Sequence, residues 1–353
     1  MHTLTINDFP LASGETLTRM TVAYRTLGQL NADGTNAVLV LHGYTTGPAM
    51  IDPGASAAEG SWSELVGPGK PIDSARYFVV CPNMLGSCYG STGPGSINPA
   101  TGKPFGLDFP RIGMADIVNA QKALLDALGV RSLAAVAGPS LGAFQAFQWA
   151  ISYPSMVRRV VAAVGAPWYP GALGSARAIV DQLAGAPGWD AWREQGGQAA
   201  MVEHLTELRT RTLDAYGIEA ELARVFADPS ERRDRIAALA RAWAIEFNPG
   251  SLVTLMQAAE SFDVRPQLGA IGAPVLLVLS RSDTVFSPTV ARMLSALPAT
   301  RSWTYVELDS DKGHMASGAD AALWAGTLAR FMNTDPAAWI PHGFPPALTQ
   351  ETP

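Results

Sequence analysis

The fold of this chain is indicated most clearly by one stretch, Gly138-Pro139-Ser140-Leu141-Gly142. An apolar run with strand character (residues 133–137) precedes it, and a run with helical character (residues 144–151) follows it. A G-x-S-x-G pattern between a strand and a helix is typical of a nucleophile elbow, a tight turn that exposes the serine hydroxyl. Glycine and serine are common, so the alternative is an incidental turn. Because of its context, we predict that Ser140 is a nucleophile.

A serine nucleophile of this kind is followed along the chain by an acid and then by a histidine. Of the five histidines, only His314 and His342 lie downstream of Ser140 and beyond any insertion. His342 lies in a proline-rich tail, where we expect it to be solvated. His314 follows the apolar alternation of residues 303–308, in a loop that leaves a strand end. We predict that His314 is the general base; the alternative is an ordinary loop histidine.

The predicted acid is Asp283, because it follows a strongly apolar run (residues 274–280) that is typical of a buried strand. An acid in that loop can accept a hydrogen bond from the imidazole, fix its tautomer and stabilise the imidazolium. Asp309 and Asp311 are competitors because they lie close to His314 in sequence. We expect these two carboxylates to be solvated instead.

An oxyanion hole needs two hydrogen-bond donors, and the first is the backbone N–H of Leu141, the residue after the nucleophile. The second donor should come from the loop that follows the early strand at residues 37–41. In that loop the N–H of Tyr44 is our first choice and that of Thr45 our second. We expect His42 to brace the loop without transferring protons.

Strand and helix patterns alternate along most of the chain, which predicts an α/β fold with a mostly parallel sheet covered by helices on both faces. The alternation breaks at residues 168–262, where alanine, arginine, glutamate and leucine are frequent and no strand is indicated. We therefore predict one core domain of residues 1–167 and 263–353, with residues 168–262 as an inserted helical cap. Strand-like runs recur at residues 22–26, 37–41, 77–81, 133–137, 160–164, 274–280 and 303–308.

Composition narrows the range of functions. The 353 residues are 48% hydrophobic and carry a net charge of −6, with no basic stripe that would indicate nucleic-acid binding. No apolar run reaches the roughly 18 residues of a membrane span, and the N-terminus lacks a signal-peptide pattern. The two cysteines, Cys81 and Cys88, are too few for a structural metal site. We expect a cytoplasmic protein with reduced cysteines, no metal and no bound cofactor.

Several long motifs extend well beyond the predicted triad. They lie at residues 67–73 (GPGKPID), 77–81 (YFVVC), 86–94 (GSCYGSTGP), 96–99 (SINP), 102–106 (GKPFG) and 108–110 (DFP). With Ser282-Asp283 and Gly313-His314, they make the chain resemble the homoserine O-acetyltransferase family of the α/β-hydrolase fold. The resemblance implies a serine acyl-enzyme, acetyl-CoA as co-substrate rather than bound cofactor, and a homodimer formed through the cap.

The chain also departs from the pattern of that family. The usual G-G-S-M-G-G is replaced here by residues 138–143 (GPSLGA), and Met315 stands where the family has an aspartate for the homoserine ammonium. The family's cap carries an arginine and, seven residues later, a tyrosine that grip the substrate. An alignment through His204 puts Ala200 and Glu207 at those two places. Residues that can take over from a shifted position are Arg209, Arg211 and Tyr216.

Our candidate substrate-binding residues are therefore Met315, Arg211 and Tyr216. A buried charge without a partner costs several kcal/mol, so an apolar Met315 favours a less charged acceptor, or water. The leading hypothesis is a carboxyl-ester hydrolase that takes a small acyl ester or thioester. The alternative is an acetyl-CoA-dependent O-acetyltransferase that acts on homoserine or another small alcohol. A remote alternative is a non-catalytic ligand-binding protein on the same fold.

Overall fold

A central eight-stranded sheet, in the order β1-β2-β6-β3-β7-β8-β9-β10, organises the molecule. The computed structural model describes residues 1–344 apart from 57, 59 and 197. The strands of the sheet are β1 (His2–Pro10), β2 (Thr16–Leu27), β3 (Ala37–Val40), β6 (Phe78–Pro82), β7 (Leu133–Pro139), β8 (Val160–Ala163), β9 (Val275–Ser280) and β10 (Thr304–Leu308). A separate two-stranded ribbon contains β4 (Val66–Gly67) and β5 (Ile72–Asp73).

The sheet is parallel from β6 through β10, and only β1 and β2 run antiparallel to their neighbours. The prediction of a mostly parallel α/β sheet is therefore confirmed. The hairpin partner β1 was not predicted, because most of its residues are exposed and form no apolar run. It pairs with β2 as the edge strand of the sheet, with His2 opposite Tyr24.

Helices cover both faces of the sheet. Alternate residues of β3 point to opposite sides: Leu39 belongs to one apolar core and Val38 to the other. Phe147 of α2 packs in the first core and Phe331 of α11 in the second. The helices are α1 (Met114–Ala127), α2 (Leu141–Ser152), α3 (Ala176–Ala184), α4 (Trp189–Gln195), α5 (Val202–Tyr216), α6 (Ile218–Leu222), α7 (Pro229–Glu246), α8 (Pro249–Glu260), α9 (Thr289–Ser295), α10 (Ala316–Ala319) and α11 (Ala325–Asn333).

Six helices, α3 to α8, lie between β8 and β9, and the described residues of that stretch form no strand of either sheet. The stretch is closed at its base by an antiparallel bridge between Trp168 and Asp263. Beside the bridge, the N–H of Tyr169 donates to Phe262 O at 3.0 Å, and the N–H of Val264 donates to Pro167 O at 3.0 Å. The chain thus leaves and re-enters the sheet region at one place, next to the predicted boundaries.

Among the residues that the structure describes, no helix is long and apolar enough to span a membrane.

Candidate active site

Ser140 lies in the sharp turn between β7 and α2. Its backbone has φ 56° and ψ −122°, a positive-φ conformation that is rare for a residue with a side chain. Gly138 and Gly142, on either side of Ser140, lie where no side chain fits. A Cβ at Gly138 would lie 2.5 Å from the carbonyl oxygen of Leu41, and one at Gly142 would lie 2.1 Å from the same atom. The G-x-S-x-G pattern therefore has a steric cause in this fold.

His314 and Asp283 form a buried pair at the carboxyl ends of β10 and β9. His314 Nδ1 lies 2.9 Å from Asp283 Oδ2, and the side chain of Asp283 is fully buried. The other oxygen, Asp283 Oδ1, accepts the backbone N–H groups of Val285 and Phe286 at 2.8 and 3.1 Å. Because an ionised carboxylate only accepts hydrogen bonds, it holds the proton of a neutral His314 on Nδ1. The Nε2 lone pair is then available to take a proton.

The imidazole of His314 is held between two rings. It stacks on Phe286 at 5.6 Å between centroids and contacts Tyr216 at 4.9 Å. The loops that carry the acid and the histidine are also joined directly, because the N–H of Gly313 donates to Ser282 Oγ at 2.9 Å. These contacts restrict the ring to one orientation.

The competing acids lie outside this arrangement. Asp309 pairs with Arg281 at 2.6 Å, and Asp311 lies 3.5 Å from Lys312; both carboxylates are exposed. His342 is also exposed. The placement of these three residues matches the expectation that they are solvated.

Ser140 and His314 line the same cavity. Many of its walls are small residues of the loops around Gly43, Gly60 and Gly318. The larger wall residues are Tyr44, Val164, Arg209, Tyr216 and Met315. The cavity therefore brings residues of the sheet region together with residues of α5.

The loop after β3 lies against the nucleophile. A Cβ at Gly43 would lie 3.6 Å from the Cβ of Ser140, and both Tyr44 and Thr45 line the cavity. On the other side of Ser140, Leu141 begins α2. First-turn N–H groups of a helix have no partner within the helix, so the Leu141 N–H is a natural anion donor. The predicted oxyanion residues thus surround the serine.

His42 fixes the orientation of this loop. Its Nδ1 donates to Gly43 O at 2.9 Å, and its Nε2 accepts the N–H of Met84 at 3.1 Å. In a trans peptide the C=O and N–H point in opposite directions, so the N–H of Tyr44 points away from His42. Burial lowers the pKa of His42 to about 4, which keeps the ring neutral. The ring therefore braces the loop, as expected from the sequence.

Gln145, which the sequence reasoning missed, joins the two sides of the oxyanion region. Its Nε2 donates to His42 O and to Leu141 O, both at 3.1 Å. Its Oε1 accepts from Gln121 Nε2 at 2.6 Å, and Gln121 Oε1 accepts from Trp149 Nε1 at 2.7 Å. The signal was available, since Gln145 is a polar residue on the apolar face of the elbow helix.

The arginine and tyrosine of the cavity are Arg209 and Tyr216. They stand seven residues apart on α5, nearly two helical turns, and therefore share one face of the helix. Arg211 was predicted at this place, but it is exposed, because two residues rotate a helix by about 200°. Ala200 and Glu207, the two positions given by the alignment through His204, are both exposed and do not line the cavity. The spacing of seven residues makes Arg209 and Tyr216 the candidate pair.

Arg209 is almost completely buried. Its Nη1 donates to Thr45 Oγ1 at 2.8 Å, its Nη2 donates to Ala58 O, and its guanidinium lies 5.1 Å from the ring of Trp243. Burial raises the pKa of Tyr216 to about 12, so its phenol stays protonated and can donate a hydrogen bond. Both groups suit an anionic or strongly polar part of a substrate.

Met315 lies in the cavity wall directly after His314 and is buried. None of the described residues that line the cavity is acidic. The predicted apolar wall at this position is therefore present in the cavity.

The cysteines do not enter the cavity wall that the structure describes. Both are free thiols, and burial raises the pKa of Cys88 to about 12, so its thiol remains protonated. A cysteine nucleophile has no support here.

Comparison with known proteins identifies the family. The alpha/beta hydrolase fold family matches residues 36–319. Homoserine O-acetyltransferase from Rhodospirillum rubrum is 36% identical over 92% of this chain and 89% of its own length. The enzyme of that name from Caulobacter vibrioides (strain NA1000 / CB15N) is 35% identical over 91% of each chain. This chain belongs to the homoserine O-acetyltransferase family of the α/β-hydrolase fold. It is an enzyme of the serine hydrolase and acyltransferase class.

Solved structures agree on the fold. Esterase E22 superposes with a TM-score of 0.80 at 24% identity, covering 94% of this chain and 99% of that one. Homoserine O-acetyltransferase from Bacillus anthracis superposes with a TM-score of 0.79 at 22% identity, covering 96% and 98%. At such identities the likeness concerns the fold, which is shared by proteins named as esterases and as acetyltransferases.

Proposed function

We propose that this family member is a carboxyl-ester hydrolase that works through an acyl-enzyme on Ser140. In the first half of the reaction, Ser140 Oγ attacks the carbonyl carbon of an ester while His314 Nε2 takes its proton. Asp283 holds the imidazole and stabilises the imidazolium that forms. The alcohol then leaves with the proton that His314 returns, and the acyl group stays on the serine.

In the second half, water attacks the acyl-enzyme. His314 takes a proton from the water, and the collapse of the second tetrahedral intermediate returns that proton to Ser140 Oγ as the carboxylic acid leaves. In both halves the oxyanion lies between the N–H groups of Leu141 and Tyr44, with the N–H of Thr45 as the second choice in the same loop. Donors that are fixed before the reaction stabilise this charge without reorganisation.

We propose water as the acyl acceptor because Met315 lies in the cavity wall beside His314. A zwitterionic acceptor would bring an ammonium group to a thioether and lose its hydration there. An unpaired buried charge of this kind costs several kcal/mol. Water and uncharged alcohols avoid that cost.

A second candidate is acetyl-CoA-dependent O-acetylation of homoserine or another small alcohol. The observation in its favour is that Arg209 and Tyr216 line the cavity seven residues apart. Guanidinium and phenol groups suit a carboxylate on the acceptor. The relatives named above as homoserine O-acetyltransferases also favour this candidate.

We also propose that the helices between Trp168 and Asp263 act as a cap on the site. Arg209 and Tyr216 would then be the cap's contribution to the pocket. Dimerisation through this cap and a cytoplasmic location stay predictions from the sequence. Size-exclusion chromatography with light scattering would test the first.

The deciding experiment measures thiol release from acetyl-CoA by the purified protein, with and without homoserine, beside turnover of p-nitrophenyl acetate. We expect aryl-ester turnover that homoserine does not change. Homoserine-dependent thiol release would favour the transferase instead.

The Ser140→Ala variant and a fluorophosphonate probe test the mechanism itself. Labelling of the wild type and not of Ser140→Ala supports the acyl-enzyme. Absence of labelling and of turnover in the wild type would favour a non-catalytic binding protein.

A further inference from the structure

Val164 has a backbone conformation that its side chain disfavours. It directly follows β8 and has φ 40°, inside the left-handed region. A β-branched residue in that region is a true outlier, because its Cβ substituents crowd the backbone. Only three described residues other than glycine have a positive φ, and two of them, Ser140 and Val164, line the catalytic cavity.

Hydrogen bonds on both sides hold this conformation. The N–H of Val164 donates to Val278 O at 2.7 Å, which ties it to β9. The preceding residue, Ala163, accepts the N–H of Ser140 at 2.9 Å. The backbone that presents Val164 is therefore joined to the nucleophile itself.

Gly165, the residue after Val164, packs closely against the nucleophile elbow. A Cβ at Gly165 would lie 2.5 Å from the Cβ of Ala143 and 3.0 Å from Ser140 O. Residue 165 therefore packs directly against the elbow and has no room for a side chain. Val164, the residue before it, lines the cavity that contains Ser140.

A glycine would adopt the backbone conformation of residue 164 without steric cost. The valine keeps that conformation and adds a branched apolar group to a cavity whose other walls are mostly small residues. Strained residues of this kind cluster at active sites, where the surrounding structure holds them. Val164 therefore forms part of the wall of the same cavity that contains Ser140.

We propose that Val164 determines acyl-chain specificity by limiting the acyl group on Ser140 to short, unbranched chains. The inference rests on the proposed acyl-enzyme mechanism and goes beyond it, because it names the residue that sets the size of the acyl group. It applies equally to transfer to water and to transfer to an alcohol. The acceptor side of the cavity, with Arg209 and Met315, is a separate determinant.

The test compares kcat/KM for p-nitrophenyl acetate, butyrate and hexanoate in the wild type, Val164→Ala and Val164→Gly. We expect the hexanoate-to-acetate ratio to rise by about tenfold or more in Val164→Gly, and by less in Val164→Ala. One methylene in an apolar pocket changes specificity by about 10- to 200-fold, so the size of the effect is reasonable. Val160→Ala, at the start of β8 and outside the cavity wall, serves as the matched control.

The outcomes separate this inference from the proposed function. A wild type without esterase or thioesterase turnover would count against the acyl-enzyme proposal as a whole. An active wild type whose chain-length ratio is unchanged in both folded Val164 variants would overturn only the role of Val164. Thermal unfolding identifies folded variants, and Val164→Ala keeps the test decisive if the glycine variant does not fold.

Discussion

Arg209 and Tyr216 lie on one face of α5, seven residues apart, and both line the cavity that contains Ser140. Guanidinium and phenol groups can bind a carboxylate. Met315 lines the same cavity, and none of the described lining residues is acidic. The described cavity wall therefore suits a carboxylate and offers no carboxylate to an ammonium ion.

An acidic residue at position 315 should change which acyl acceptor the enzyme uses. We predict that Met315→Asp raises homoserine-dependent thiol release from acetyl-CoA by about tenfold or more, because a carboxylate beside His314 can pair with the ammonium group. Met315→Asn is the matched control, since it is polar and similar in size but uncharged. Equal rates for the two variants would show that the missing charge does not exclude homoserine.

The pair of Asp283 and His314 gives a second prediction. Asp283→Asn should preserve the fold and lower kcat by about 10⁴, because an amide no longer fixes the productive tautomer of the imidazole. The measurement is turnover of p-nitrophenyl acetate together with the thermal unfolding midpoint. Asp309→Asn, a surface acid near the same loop, should leave kcat unchanged. Comparable kcat values for the wild type and Asp283→Asn would remove Asp283 from the mechanism.

Gln145 gives a third prediction, for a positioning residue. Gln145→Met removes the donors to His42 O and Leu141 O, so the oxyanion region should loosen. We expect kcat for p-nitrophenyl acetate to fall by roughly 10-fold or more with little change in KM, since one oxyanion donor is worth about 10²–10³. Gln148→Met, at a half-buried position of α2 that does not contact the oxyanion region, is the control.

A purely structural role for Gln145 would give a different pattern. The unfolding midpoint would then fall while kcat of the folded fraction stayed at the wild-type value. Gln145→Glu, whose carboxyl keeps an acceptor for Gln121, should recover part of kcat when it is protonated. A Gln145→Met enzyme that is folded and fully active would contradict the prediction.

The sequence allowed the buried strands, and the positions of Ser140, Asp283 and His314 after three of them, to be predicted, because each follows directly from a local signal. Ser140 has glycines that the turn needs, and Asp283 follows a continuous apolar strand. The exposed hairpin strand β1 left no apolar run and was missed. Local patterns therefore identified the buried strands and the residues at their ends.

Residues that depend on three-dimensional packing were harder to predict. The choice between Arg209 and Arg211 depends on the rotation of one helix, which the sequence of residues 168–262 does not fix. Gln145 and Val164 matter through contacts with segments far away in the chain. For Val164 the backbone conformation is the whole signal, and nothing in the residue type predicts it.

The last prediction concerns pH and His42. Its pKa is 6.5 in a solvated chain and about 4 in the folded protein, because burial disfavours the charged ring. The contribution of neutral His42 to the free energy of unfolding is fully present above pH 6.5. It decreases as the pH falls, because the unfolded chain then binds a proton at His42 and the folded protein does not. It stops decreasing below about pH 4. The difference amounts to about 3 kcal/mol in the free energy of unfolding.

His42→Gln isolates this effect from the carboxylates, which titrate in both proteins. Glutamine can still hydrogen-bond but does not bind a proton, so its unfolding free energy lacks the contribution of His42. The measurement is urea unfolding of the wild type and His42→Gln at pH 7.5, 5.5 and 4.5. We expect the wild type to be the more stable protein at pH 7.5, and the difference in unfolding free energy between the two proteins to become smaller toward pH 4.5. A gap that stays constant over this range would mean that His42 is accessible to protons in the folded protein. The loop bearing Tyr44 would then be less firmly braced than its hydrogen bonds indicate.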